Sequence, residues 1–127
     1  METLVLRIFK NKEFSKFARK EKISDEKLIE AVRNADAGLV DANYGGGVIK
    51  QRIARPGEGK SGGYRSIVLY RKGEKAFFVY GFSKNEQDSI TKAEERDFKK
   101  LAKIMLALTD EQLDSLLKKE IIEEVTP

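Results

Sequence analysis

Three runs rich in β-branched and aromatic residues follow one another in the middle of the chain, at about Val48 to Arg55, Tyr64 to Arg71 and Lys75 to Phe82. Lys72-Gly73-Glu74 between the last two is a tight hairpin turn, and a long glycine-rich loop joins the first two. The flanks follow helical spacing instead. Phe14, Phe17 and Ala18 fall at i, i+3 and i+4; Ser24 then reads as an N-cap, with Asp25 and Glu26 in the first turn of a second helix that turns Leu28, Ile29 and Val32 inward and stops near Gly38. Gly45-Gly46-Gly47 marks a turn before the central strands. Thr91-x-x-Glu94 and Thr109-x-x-Gln112 are capping boxes, the first opening a helix with Phe98, Leu101, Ala102, Met105 and Leu108 on one face, the second a helix with Leu113, Leu116 and Leu117. With a first strand at Leu4 to Phe9, the expected order is β-α-α-β-β-β-α-α. That is a small α+β domain spanning 1–127: a curved, mostly antiparallel four-stranded sheet packed on helices, with a C-terminal helical extension at about 109–125.

Charge is unevenly spread along this frame. Residues 45–84 carry nine cations and two anions, whereas residues 85–127 carry seven cations and eleven anions. A basic excess of that kind, on the strands beside the glycine loop, is the footprint of a polyanion-binding surface. The loop Gly57-Glu-Gly-Lys-Ser-Gly-Gly-Tyr-Arg65 carries Lys60 and closes on Arg65, with Lys50, Arg52 and Arg55 just upstream. Two nucleotide signatures nearly fit and both fail. Gly57-x-Gly59-x-x-Gly62 precedes a strand rather than a helix, and Ala54 stands where a P-loop needs glycine while Pro56 removes a cradle N–H. The chain has no cysteine and no histidine, so thiolate metal sites and the usual near-neutral acid–base residue are both missing. Chemistry is left to Lys, Arg, Tyr and carboxylates. No long apolar stretch or signal-like N-terminus is present, and the chain reads as cytoplasmic, with no membrane partner and neither cofactor nor metal.

The Lys50-x-Arg52 pair on a strand, the Gly-Lys-Ser-Gly-Gly-Tyr-Arg run at 59–65 and the stretch Val79-Tyr-Gly-Phe-Ser-Lys-Asn-Glu86 together resemble the RelE/ParE superfamily of bacterial type II toxins, in particular its RelE-type, HigB-like branch. The resemblance runs from the first strand to about Leu108. It implies an endoribonuclease that cuts mRNA in the ribosomal A site without metal, by attack of the RNA's own 2′-hydroxyl, thereby inhibiting translation, and that a cognate antitoxin silences. Its partners are then the antitoxin, the ribosome and mRNA. By the same resemblance Lys50, Arg52, Arg65 and Lys84 are catalytic: Lys50 takes a proton, Arg52 binds phosphate and Arg65 stabilises transition-state charge. Arg55, Lys60, Tyr64, Tyr80 and Asn85 are substrate-binding candidates, Tyr64 either stacking on a base or joining the core.

The chain departs from the family pattern after the last strand. Asn85 stands in place of an arginine and Thr91 in place of a proton-transferring tyrosine, which leaves the general acid and base open between Lys50, Tyr80 and Glu86. Two other function classes stay in view: a ParE-like toxin that inhibits gyrase, and an RNA-binding module without catalysis.

Overall fold

The computed structural model describes residues 6–54, 63–84 and 86–127. The elements are β1 (Arg7–Asn11), α1 (Lys12–Glu21), α2 (Asp25–Asp36), β2 (Ala42–Gly45), β3 (Val48–Ile53), β4 (Tyr64–Arg71), β5 (Lys75–Ser83), α3 (Lys92–Met105), α4 (Asp110–Lys118) and β6 (Ile122–Glu124). The strands form one six-stranded sheet in the order β2-β3-β4-β5-β1-β6. β1 runs parallel to β5 and the remaining pairings are antiparallel.

The α+β class stands, but the expected four-stranded sheet is corrected to six strands. Two short strands account for the difference. The Gly45-Gly46-Gly47 turn is itself the bend of a hairpin, its glycines at φ of +86°, +63° and +84°, and Ala42–Gly45 folds back along β3 through it. Glycine takes positive φ without steric cost, so the turn closes on a strand of only four residues. At the other end α4 stops at Lys118, and Ile122–Glu124 pairs antiparallel with β1, so the segment expected as continued helix ends as an edge strand. Two apolar residues in a row, Ile121-Ile122, gave no period to read; only pairing with β1 fixes it.

The sheet is covered on both faces. α1 and α2 pack one face through Phe14, Ala18, Leu28, Ala31 and Val32 against Ile49, Ile53, Val68 and Phe78. α3 and α4 pack the other through Ala102, Leu106 and Leu113 against Phe9, Val48, Leu69 and Phe77. The helix starts follow their caps: Asn11, Ser24, Thr91 and Thr109 each accept a backbone N–H of the first turn, and both threonines complete capping boxes. Among the described residues no helix is long and apolar enough to cross a membrane.

Candidate functional site

Strand alternation decides which cations share a face. On β3, Val48 belongs to the α3 side and Ile49 to the α1–α2 side, so Lys50 and Arg52 point to the α3 side and Gln51 away from it. On β4, Ile67 belongs to the α3 side, which places Arg65 there too. Register then fixes two rows. Arg52 lies directly opposite Arg65, and Arg65 opposite Phe82; Lys50 lies opposite Ile67, and Ile67 opposite Tyr80. The sheet therefore brings Lys50, Arg52, Arg65 and Tyr80 onto one patch.

Tyr80 reaches that patch because β5 carries an irregularity. Val68 pairs with Phe78 while Ile67 pairs with Tyr80, leaving Val79 as an extra residue in the strand. One added residue reverses the alternation, so Tyr80 and Phe82 face the cations while Gly81 faces α1. The Val79 carbonyl accepts a hydrogen bond from Asn11 Nδ2 at 3.2 Å, and Asn11 Oδ1 caps α1. Gly81 tolerates the close approach of Phe17, whose ring would stand 2.4 Å from any Cβ there.

The cations are tied to acceptors that the sequence did not single out. Asp41, just before β2, sets one carboxylate oxygen 3.5 Å from Lys50 Nζ and 3.3 Å from Arg65 Nε. The connection after β5 also passes over the patch: the Asp88 carbonyl accepts from Lys50 Nζ at 3.1 Å, Gln87 Oε1 accepts from Tyr80 at 3.2 Å, and Ser89 Oγ lies 2.6 Å from the Tyr44 hydroxyl. Arg65 is consequently only 7% exposed. Its Nη1 donates to the Tyr64 carbonyl at 3.4 Å.

Tyr80 packs on Phe82 and Phe98, with ring centroids 5.8 and 6.1 Å away. Burial raises its pKa above the ordinary tyrosine value, and the negative fields of Glu94, Glu13 and Glu86 add to the rise against the Gln87 hydrogen bond. The phenol is thus held protonated at neutral pH, as a proton and hydrogen-bond donor.

Of the two places open to Tyr64 the structure takes the core, which corrects its place among the substrate-binding candidates: it lies on the opposite face, buried at 4%, with its hydroxyl on Glu21 Oε1 at 2.8 Å and its ring edge-on to Phe17. Its place is the core, because one residue of alternation separates it from Arg65. Lys84 stands exposed in the turn after β5. Arg55, Lys60 and Asn85 lie outside the described residues. Glu86 is exposed in the same turn as Lys84. Among the described residues no group of three or more carboxylates is arranged to hold a metal ion. A cleft of about 400 Å³ adjoins the patch, with Asp41 and Arg52 on its wall beside Lys27, Asn34 and Leu39 of the α2 side.

A search of the curated proteins returned no match. A family model described as the RelE toxin of the RelE / RelB toxin-antitoxin system matches residues 6–125, which includes the patch, the connection over it and β6.

Proposed function

Because the chain belongs to the RelE toxin family, and is by that membership a toxin with an antitoxin partner, we propose that it is an endoribonuclease cutting mRNA on the ribosome at the Lys50–Arg52–Arg65–Tyr80 patch. The observation that carries this reading is the cross-strand row in which Arg52 faces Arg65, with Lys50 two residues along the same face. Cations opposed across two strands concentrate positive potential on this face, and guanidinium forks there suit the oxygens of a phosphate.

The chemistry asks for one proton taken, one donated and one extra phosphorane charge stabilised. Arg52 and Arg65 suit the charge, since guanidinium stays protonated and presents a fork to phosphate oxygens. Of the three cations only Lys50 has a neutral form that can accept a proton, and as the free amine it is assigned the 2′-hydroxyl proton; attack of that oxygen on the adjacent phosphorus then expels the 5′-oxygen of the next nucleotide. Tyr80, held protonated and on the same patch, is assigned the donation to that leaving oxygen. RNA supplies the nucleophile, and the product carries a 2′,3′-cyclic phosphate.

The test is cleavage of a defined message on programmed ribosomes by purified protein, with the product ends identified. Scission in the A-site codon leaving a 2′,3′-cyclic or 3′-phosphate end supports the reading. Intact message under conditions where the protein arrests growth would overturn it.

A further inference from the structure

Asp41 touches two of the three clustered cations with a single oxygen, and nothing in the reaction above uses it. We propose that Asp41 is a positioning residue of the RNA-cleaving site: it fixes the direction of Lys50 and Arg65 before substrate arrives, with Gln51 as its anchor. The proposal rests on the nuclease reading and names a part of that site.

Three observations carry it. Arg65 is 7% exposed, and a guanidinium removed from water to that extent needs an anionic partner, which Asp41 provides at 3.3 Å. Asp41 is itself held. Its N–H donates to Gln51 Oε1 at 3.2 Å, while Gln51 Nε2 donates to the carbonyls of Ala31 at 2.9 Å and Leu39 at 2.8 Å. Gln51 is 4% exposed and sits on the far face of β3 between Lys50 and Arg52, so one buried amide ties the α2–β2 connection to the strand that carries both cations. Finally, Asp41 engages Arg65 at Nε and the Tyr64 carbonyl engages Nη1, which leaves Nη2 without a hydrogen bond among the described residues. Two acceptors on different nitrogens thus orient the fork.

A carboxylate beside a phosphate seat opposes anion binding while it orders the groups that do the chemistry. Its removal therefore separates affinity from rate. A residue that only held the fold would lower both, together with the melting temperature.

The experiment uses the full chain as wild type, Asp41→Asn, Asp41→Glu and Gln51→Met. Affinity is measured on ribosomes programmed with a message whose cleavage position is 2′-deoxy and cannot be cut, and rate by single-turnover cleavage of the natural message across pH. Asp41→Asn is expected to bind as tightly as wild type or more so, and to cleave about 10- to 100-fold more slowly at saturation with the acid limb of the pH profile retained. Gln51→Met should repeat that split, and Asp41→Glu should recover part of the rate. Weakened binding in Asp41→Asn, or an unchanged rate, overturns the proposal; loss of the acid limb also overturns it, by making Asp41 the proton acceptor. If wild type cuts no message the nuclease reading falls separately. The Arg65 Nε–H proton resonance and the binding arm then decide: an unmoved resonance or weaker binding in Asp41→Asn is against the placement, a shifted resonance with equal or tighter binding is for it.

Discussion

Lys50 and Tyr80 differ from their arginine neighbours in being able to move a proton, so substitutions that keep size and charge separate their roles. Lys50→Arg retains the cation and removes the amine that can act as a base; cleavage by this variant is expected to fall at least about 100-fold while ribosome binding stays near wild type. Retained cleavage would make Lys50 a purely electrostatic group. Tyr70 offers a separate test of the fold. Its hydroxyl donates to Asp36, and burial, with that carboxylate second, holds its pKa above the ordinary value. A raised folded pKa favours the protonated form in the native state. Its contribution is therefore complete below about pH 10 and is lost as pH rises beyond that. Urea titrations of wild type and Tyr70→Phe should show a steeper alkaline loss of stability in wild type; identical slopes would contradict the assignment. At this scale the sequence, by its charge excess and the resemblance, grouped Lys50, Arg52 and Arg65, which alternation and register bring to one face, whereas Lys84, grouped with them, stands exposed in the turn after β5. Tyr64 and Arg65, adjacent and opposite in fate, show its limit: two aromatic and basic neighbours share a motif but not a face.

Elements decide what residues cannot. The extra residue Val79 in β5 turns Tyr80 to the cations, and no local pattern in Ala76-Phe-Phe-Val-Tyr80 marks it. Asn11 secures that carbonyl from β1 while it caps α1, so Asn11→Ala is expected to cost about 1–2 kcal/mol of stability and to reduce cleavage beyond what its melting shift explains. Equal activity per folded molecule would separate the bulge from the site. Arg7 does comparable work at the other end of β1. It pairs with Glu124 through two bonds of 2.9 and 3.0 Å, with Asp110 at 3.1 Å and Asp114 at 3.0 Å, and lies 5.1 Å from the Phe9 ring centre. Truncation to Ala should loosen α4 and β6 together, read as faster amide exchange in residues 110–124 with β3 and β4 unchanged, at a cost of about 1–2 kcal/mol. Helix positions were legible from caps and spacing. β2 and β6 were not, since strands of four and three residues carry too little period and depend on a distant partner.

Across the whole molecule, three cations of the basic middle third, Lys50, Arg52 and Arg65, share one patch beneath the connection after β5, while Arg71 and Lys75 turn to the carbonyls of Leu106 and Leu108 and the acidic last third supplies α3, α4 and the edge strand. Under the proposed function the patch takes single-stranded RNA by displacing counterions, so log affinity for an uncut RNA should fall with log salt, and Arg52→Ala should lessen the slope by about 0.7. An unchanged slope would take Arg52 off the phosphate path. The uneven charge pointed to the strands that carry Lys50, Arg52 and Arg65; the carboxylate and carbonyl that hold the cations were not foretold, because Asp41 and Asp88 meet Lys50 only through the fold. Whether this face cuts message is read most plainly from single-turnover cleavage on programmed ribosomes by wild type and Arg65→Ala, each confirmed folded by melting. The account predicts scission within the A-site codon with a cyclic or 3′-phosphate end for wild type, and at least about a 100-fold loss in the variant. Message left whole by a folded, ribosome-bound wild type, or cut equally well without Arg65, would contradict it.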